Sequence, residues 1–132
     1  MKKDNHNNLI KYGSTLIDSW CVIKPEGEKQ KIFEFLQGQV TSDINNIDVG
    51  CSQLSSICNH KGQIMSDFII FKSRDDYKII IDKALKQEFI KELEPFAKFF
   101  SVKFKSLDLR VIGEVSKNKS GGIYLSNNTF SL

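Results

Sequence analysis

The stretch that decides the fold runs from Phe35 to Phe71 and reads FLQGQVTSDINNIDVGCSQLSSICNHKGQIMSDFIIF. Its apolar runs flank two polar connections, residues 37–43 and residues 59–63. The pattern predicts the end of a helix, a loop, a strand, a polar turn and a second strand. We therefore expect a scaffold that presents both polar connections on one side.

The composition indicates one globular domain with a core, because 40% of the 132 residues are hydrophobic and 27% are charged. A net charge of +3 is too small to indicate direct nucleic-acid binding. No apolar run reaches the length of a membrane span, and residues 1–8 lack the apolar segment of a secretory signal. We therefore expect a cytoplasmic protein with no membrane partner. Three cysteines, an odd number, favour reduced thiols over a disulfide framework.

The rest of the chain reads as strands with helices interleaved between them. Apolar spacing predicts helices over 28–36 and 84–94, with Gly38 ending or interrupting the first and Pro95 breaking or bending the second. It also predicts a short helix over 40–47 with Val40, Ile44 and Ile47 on its core side. Strands are predicted over 16–23, 53–58, 63–72, 77–81, 102–104 and 109–115, and Pro25 and Gly27 are predicted to close the first of them. The sum predicts an α+β domain with a mixed or antiparallel sheet.

The two ends of the chain differ in character from its middle. Residues 1–8 are polar and rich in asparagine, so we expect a disordered leader. Residues 9–115 form the predicted domain. From residue 116 to residue 132, Ser, Asn, Lys and Gly dominate, which predicts a linker or the beginning of a second domain that is missing here.

No catalytic constellation stands out, and we assign neither catalytic residues nor metal ligands. One interpretation gathers Cys51, Cys58 and His60 at one end of the sheet as ligands for zinc or an iron–sulfur cluster, but a fourth ligand is missing and the spacing matches no metal motif. Small strand residues and a surface histidine are the simpler interpretation.

Three further positions allow a structural and a functional interpretation. Trp20, the single tryptophan, either fills the core or lines a cavity where its ring stacks on an aromatic ligand. Asp67 either faces solvent or accepts a hydrogen bond from a heterocycle in a pocket. Lys61, next to Gly62 in a turn, is either solvated or bound to an anion.

Lys103 and Lys105 alternate with Phe104, which a half-exposed strand explains more simply than RNA stacking does.

Two motifs give the chain a resemblance to a known family. FLQGQVTSDI at residues 35–44 and CNHKGQIMSDF at residues 58–68 resemble the YgfZ family, folate-binding relatives of the glycine-cleavage T-protein, an aminomethyltransferase. The resemblance runs over residues 16–115. It implies a ferredoxin-like folate-binding domain, tetrahydrofolate or a derivative as ligand, and a role in making or repairing iron–sulfur clusters. The implied partners are iron–sulfur proteins or assembly factors, including those that support tRNA modification.

The resemblance also assigns the site. A tryptophan on the first strand lies against folate in such proteins, and Trp20 in LIDSWCVI matches it. The polar positions of the first motif match Gln39, Thr41 and Asp43, and those of the second match Lys61 and Gly62. With Asp67, these residues form the predicted folate-binding set.

Two departures from the family pattern limit the functional reading. The family's later KGCxxGQE motif is absent, so we expect a fragment or a shortened relative. T-protein carries paired aspartates where this sequence has Ser66 and Asp67, which weakens aminomethyl transfer. The leading hypothesis is therefore a folate-binding accessory protein rather than an enzyme. The alternatives are a folate-dependent aminomethyltransferase and an RNA- or protein-binding module without a small ligand.

Overall fold

A five-stranded antiparallel sheet organises the computed structural model, which describes residues 13–16, 18–115 and 122–126. In chain order the described elements are β1 (Gly13–Leu16), β2 (Trp20–Glu26), α1 (Lys29–Gln39), a short 3-10 helix (Ile44–Asn46), β3 (Ser52–Cys58), β4 (Ile64–Lys72), β5 (Tyr77–Asp82), α2 (Lys83–Phe99), β6 (Lys103–Leu107), β7 (Arg110–Val115) and β8 (Gly122–Ser126).

The topology is that of a ferredoxin-like fold with one added strand. The sheet order is β3-β4-β5-β2-β6, and each neighbouring pair is antiparallel. The succession β2-α1-β4-β5-α2-β6 is the βαββαβ arrangement, to which β3 adds an edge strand. The predicted α+β class is confirmed. Of the two predicted sheet types, mixed and antiparallel, the main sheet is antiparallel.

The main core lies between the sheet and the two helices. Strand alternation sends Tyr77, Ile79 and Ile81 of β5 into this core, while Ile80 faces the other side of the sheet. Phe89 of α2 lies near the centre of the core, with its ring centroid 5.0 Å from that of Phe68. Because Phe89 is fully buried, its truncation to alanine should cost roughly 3–5 kcal/mol.

Both helices form because one side of each can be buried in this core. In α1 the buried residues are Ile32, Phe35 and Leu36, which recur at the spacing of one helix face. In α2 they are Phe89, Leu93 and Ala97, at i, i+4 and i+8. The Asp82 carboxylate accepts a hydrogen bond from the Ala84 backbone N–H at 2.8 Å and so caps the start of α2.

A second, smaller sheet packs against the side of the main sheet that faces away from the helices. Its order is β1-β7-β8, again antiparallel. Val111 of β7 joins Val22 and Ile80 of the main sheet in a buried cluster, and Trp20 packs against that cluster. The main sheet therefore carries buried apolar residues on both faces, one packed against the helices and the other against the smaller sheet.

Two prolines lie inside elements that the sequence predicts them to close or to break. Pro25 does not close the first strand but lies inside β2, opposite Phe104 of β6. It is tolerated there because β2 pairs with β5 only as far as Ile23, so one side of Pro25 has no ladder to interrupt. Pro95 does not end α2, which continues to Phe99 because Ala97 in its last turn is buried.

Three other boundaries also differ from the predictions. The strand predicted over 16–23 is two strands, β1 and β2, separated by a turn at Asp18 and Ser19. Gly38 does not interrupt α1, which ends one residue later at Gln39. The short helix predicted over 40–47 is reduced to the 3-10 helix, although Val40, Ile44 and Ile47 are buried as predicted.

The chain ends are covered only in part. The predicted leader, residues 1–8, lies outside the described residues. Within 116–132, residues 122–126 form β8, which pairs with β7. The division of the chain at residue 116 remains a prediction.

Candidate functional site

Trp20 is the first residue of β2 and is partly buried on the face of the sheet that points away from the helices. It lies opposite Asp82, the last residue of β5. Its ring packs against the cluster of Val22, Ile80 and Val111 without being enclosed by it. Two cavities have Trp20 in their lining, so the indole lies at the boundary between core and surface.

The first of these, the Trp20 cavity, opens where β4 and β5 part. Their pairing begins at Ile69 opposite Ile80, so Asp67 and Asp82 lie two residues beyond the paired part. Like charges placed opposite each other disfavour strand pairing, which gives a physical reason for the separation. The resulting cavity has a volume of about 230 Å³, and its lining consists of Trp20, Leu54, Asp67, Phe68, Ile69, Ile80, Ile81, Asp82 and Leu85.

The chemistry of the Trp20 cavity is an apolar wall with two carboxylates. The indole offers a flat apolar face, and aliphatic side chains complete most of the remaining wall. Asp67 and Asp82 supply hydrogen-bond acceptors, and Asp82 also caps α2. Such a site suits a planar ring that carries N–H donors.

A second cavity, the Arg110 cavity, lies on the other side of Trp20 and has a volume of about 350 Å³. Its charged lining residues are Asp18, Lys83, Asp108 and Arg110, two of each sign. Cys21 also lines it, and burial raises the pKa of that thiol although Lys86 and Lys83 oppose the effect. The thiol is therefore protonated at neutral pH and a poor nucleophile.

The polar connection at residues 37–43 is held by its own hydrogen bonds. The Gln37 side chain donates from Nε2 to Asp43 Oδ1 at 2.9 Å, and its Oε1 accepts from the Ile44 backbone N–H at 2.9 Å. The hydrogen bond from Gln37, followed by that from the Asn45 backbone N–H, lowers the pKa of Asp43. The Asp43 carboxylate therefore stabilises the conformation of this connection through hydrogen bonds.

The same connection is fastened to the outer edge of β3. The Thr41 backbone N–H donates to the Ser56 carbonyl at 2.9 Å, and the two hydroxyl groups are 2.9 Å apart. The Ser42 hydroxyl donates to Ser55 Oγ at 2.7 Å. Since Ser56 lies opposite Asp67 in the next strand, Thr41, Ser56 and Asp67 form a polar row that leads towards the Trp20 cavity. Gln39, half-buried, ends α1 beside this row.

The polar connection at residues 59–63 is a tight turn between β3 and β4. Asn59 Oδ1 accepts hydrogen bonds from the backbone N–H groups of Lys61 at 2.8 Å and Gln63 at 3.0 Å. Gly62 has a φ of 80°, in the left-handed region that glycine adopts without strain. Lys61 is exposed, with its side chain on the solvent side of the turn.

The structure therefore brings together only part of the predicted folate-binding set. Trp20 and Asp67 line one cavity. In the described part of the chain, neither cavity that Trp20 lines takes in a residue of 37–43 or 59–63. Gln39, Thr41, Asp43, Lys61 and Gly62 instead lie along β3, at the edge of the sheet: Asp43 is beside Gln53 near its beginning, and Lys61 and Gly62 follow its end.

Sequence reasoning missed Asp82, which shares the Trp20 cavity. The signal was present, because an aspartate between a β-branched run and a helical pattern is typical of a helix N-cap at a strand end. Its approach to Trp20 depends on the pairing of β2 with β5, which joins residues far apart in sequence.

The metal interpretation of Cys51, Cys58 and His60 is contradicted by their placement. Cys51 precedes β3, whereas Cys58 ends it and His60 lies in the turn beyond. A seven-residue strand is roughly 20 Å long, so the three side chains cannot share an ion. Among the residues that the structure describes, no cluster of three metal-ligating side chains is found.

Ser66, the neighbour of Asp67, points the other way. It is 3% exposed, and its hydroxyl has no hydrogen-bond partner in the described structure. Adjacent strand residues face opposite sides of a sheet, so only Asp67 of this pair reaches the Trp20 cavity.

Comparison with known proteins supports the resemblance seen in the two motifs. The chain is 29% identical over 99 residues to the tRNA-modifying protein YgfZ of Vibrio vulnificus, covering 75% of this chain and 30% of that protein. It is 29% identical over 102 residues to the protein of that name from Buchnera aphidicola, covering 77% and 31%. The sequence is similar to YgfZ proteins. It spans about 30% of the length of the curated relatives it matches, and no protein-family model matches it.

A solved structure shows the same fold as this YgfZ-like chain. The glycine cleavage system aminomethyltransferase T of Bartonella henselae matches with a TM-score of 0.67 at 23% identity, covering 77% of this chain and 28% of that one. The predicted T-protein-type fold is thereby confirmed. No helix in the described ranges combines the length and the apolar character needed to cross a bilayer.

Proposed function

We propose that this chain binds a folate-type ligand, tetrahydrofolate or a derivative, as an accessory protein of iron–sulfur cluster assembly or repair. In that role it would support tRNA modification indirectly, in the cytoplasm and together with iron–sulfur proteins or assembly factors. The similarity to proteins named tRNA-modifying protein YgfZ and the T-protein-type fold support the proposal. The observation that carries it is that Trp20 and Asp67 line one cavity.

The Trp20 cavity fits the ring end of such a ligand. The indole would stack on the pterin, because offset stacking of two flat rings adds to the apolar area that they bury. Asp67 would accept hydrogen bonds from the N–H groups of the pterin edge, as a carboxylate does without competing donors of its own. The proposed mechanism is capture and orientation of the ligand, with no covalent step.

The size of the cavity argues that it holds one ring system and not a complete folate. Its volume of about 230 Å³ lies below the roughly 300–1,000 Å³ of small-molecule sites. We propose that the rest of the ligand passes Trp20 into the Arg110 cavity, where its carboxylate-bearing tail would pair with Lys83 and Arg110 and avoid Asp18 and Asp108. Residues 9–115 would form the folate-binding unit, with 116–132 as a linker or the beginning of another domain.

The predicted residues outside this cavity take a supporting role in the proposal. Thr41, in contact with Ser56, would hold that residue and thereby the position of Asp67, while Asp43 fastens the same connection to Gln53 of β3. Gln39, Lys61 and Gly62 flank the same end of β3 and would contact a ligand only if it extended along that edge.

The direct test is a titration of the 132-residue chain with 5-formyltetrahydrofolate. Because Trp20 is the single tryptophan, its fluorescence should change as the ligand stacks on it. Calorimetry should show that Trp20→Ala and Asp67→Asn each weaken binding about tenfold, equivalent to about 1.4 kcal/mol. Asp75→Asn, an exposed carboxylate in the β4–β5 turn, should leave the affinity unchanged and serves as the control.

An unchanged Trp20 signal together with no heat of binding at millimolar ligand would contradict the proposal. A second candidate, folate-dependent aminomethyl transfer, is favoured by the T-protein-type fold. The sequence argues against it, because the pair that reads as two aspartates in T-protein reads Ser66 and Asp67 here and supplies a single carboxylate. Release of methylene-tetrahydrofolate from an aminomethylated carrier protein would decide for this candidate.

A further inference from the structure

A third cavity, the Tyr77 cavity, lies at the end of the sheet opposite to Trp20. It has a volume of about 430 Å³, which falls within the range of small-molecule sites. Its lining comes from the first turns of α1, the residue Val49 and the β4–β5 turn: Lys29, Gln30, Ile32, Phe33, Val49, Lys72, Ser73, Arg74, Asp75, Asp76 and Tyr77.

The floor of this cavity is apolar and aromatic. Ile32 and Tyr77 are each 6% exposed and form its base, while Phe33 is partly buried and Val49 is 57% exposed. The Phe33 ring and the Val49 side chain therefore form an apolar surface against which a flat apolar ligand can bury its own surface.

The rim of the cavity has an excess of positive charge. Asp76 is already engaged, because Lys78 Nζ lies 3.0 Å and Lys24 Nζ 3.4 Å from its carboxylate and the Ser73 hydroxyl donates to it at 2.6 Å. Apart from Asp76, the lining therefore contains three positively charged side chains, Lys29, Lys72 and Arg74, and one negatively charged side chain, Asp75.

The three rim cations have no ion-pair partner within the described ranges of the chain. Lys29 Nζ approaches the Arg74 carbonyl at 3.5 Å, and Lys72 Nζ lies 5.9 Å from the centre of the Tyr77 ring. Both residues line the cavity, and neither contact is with an anion, so the charge of both ammonium groups remains available.

We propose that the Tyr77 cavity binds a small molecule in which a flat ring carries an oxyanion, either phosphate or carboxylate. The ring lies on Phe33 and Val49, and the oxyanion is met by Lys29, Lys72 and Arg74. Arg74 supplies the planar fork that pairs with such an anion, and the two lysines add point charges. This site is independent of the folate proposal.

The distance between the two ends of the sheet keeps the sites separable. Tyr77 begins β5, and Asp82, opposite Trp20, ends it. Five residue steps along a strand correspond to about 17 Å. A ligand in the Tyr77 cavity should therefore leave the Trp20 indole N–H resonance in place.

The test uses two-dimensional NMR of the isotope-labelled 132-residue chain with four probes. Adenosine monophosphate and benzoate join a ring to phosphate or to carboxylate, whereas adenosine and inorganic phosphate each lack one half. At least one of the first two should shift the backbone amides of residues 29–33 and 72–77, and the half-probes should bind about tenfold more weakly. Which of the two ring-bearing anions binds identifies the oxyanion.

A pair of charge variants provides the matched control. Lys72→Gln with Arg74→Gln should weaken binding about tenfold, whereas Lys103→Gln with Lys105→Gln, exposed on β6, changes the net charge equally and should leave binding unchanged. Equal loss in both double variants, shifts centred on Trp20, or no shift with any probe at several millimolar would each overturn the proposal.

Discussion

At the scale of single residues, strand alternation decides which side chains can meet a ligand. Ser66 and Asp67 are neighbours in β4, yet one faces the core and the other the Trp20 cavity. The sequence left open whether Asp67 faced a pocket or solvent, and in the structure the residue is exposed and also lines the Trp20 cavity. The choice depends on the pairing of β4 with β3 and β5, in which Asp67 lies opposite Ser56 and beyond the last pair with β5.

Asp76 is the residue whose ionisation should affect stability most visibly. Burial alone would raise the pKa of its carboxyl, but hydrogen bonds from Ser73, Lys78 and Lys24, with the charge of Lys78, hold that pKa below its ordinary value. A lowered pKa in the folded state means that the ionised group stabilises the fold above the unfolded-state pKa, about 3.9. This stabilisation is lost as the pH falls through the lower, folded-state pKa.

The corresponding measurement compares the parent chain with Asp76→Asn by urea unfolding between pH 7 and pH 2. The parent should have the higher free energy of unfolding at neutral pH, and the difference should shrink below about pH 4. Asp75→Asn, in the same turn, is the control and should show little pH-dependent difference. A difference for Asp76→Asn that persists unchanged to pH 2 would mean that the carboxylate charge is irrelevant.

At the scale of elements, α2 shows how burial overrides a local rule. Pro95 lacks an N–H and crowds the carbonyl of Lys91, which usually breaks a helix. The helix nevertheless continues, because Ala97 is buried and its carbonyl accepts a hydrogen bond from the Val102 N–H at 2.8 Å. The helix has to extend to Ala97 for this hydrogen bond to Val102 to form, directly before β6 begins.

Pro95→Ala should therefore stabilise the protein by about 2 kcal/mol. Restoring the helix hydrogen bond and relieving the crowding contributes roughly 3 kcal/mol, and the greater freedom of the unfolded chain offsets up to about 1 kcal/mol. Denaturant unfolding measures the change, with Glu94→Ala at the adjacent exposed position as the control. A decrease in stability would show that the proline suits the local backbone.

The same comparison shows how far the sequence predicts the fold. The strands around Ile57, Ile70 and Ile79 and the helix around Phe89 follow from the apolar pattern, because each forms one face of the core. The boundaries at Pro25 and Pro95 do not, since pairing with β6 and burial of Ala97 depend on distant residues. For the site, the sequence predicts Trp20 and Asp67. It does not predict Asp82 or the position of residues 37–43, because both depend on the register of the strands.

At the scale of the whole molecule, the two sheets are joined by apolar contact through the face that carries Trp20. Val111 of β7 is 1% exposed and packs with Val22 and Ile80 of the main sheet. Because this cluster takes residues from both sheets, loss of one sheet would expose apolar surface of the other. We therefore expect both sheets to unfold in one cooperative transition.

Val111→Ala tests this coupling. Removal of two buried methyl groups should lower the free energy of unfolding by about 2 kcal/mol, from lost burial and the cavity left behind. Fluorescence of Trp20 and far-ultraviolet circular dichroism should still report the same midpoint. Val49→Ala, at a position 57% exposed, is the control and should change stability by less than about 0.5 kcal/mol. Separate midpoints for the two signals would show that the sheets unfold independently.

The attachment of residues 40–43 along β3 has a consequence for self-association. A bare border of a sheet is a template on which another polypeptide can add and fibrils can grow. Here one border is occupied by the protein's own backbone, through the Thr41 N–H to the Ser56 carbonyl, and the other carries Lys103 and Lys105 on β6. Fibril growth from the β3 side would first have to displace that attached segment, and growth from the β6 side would bring like charges together.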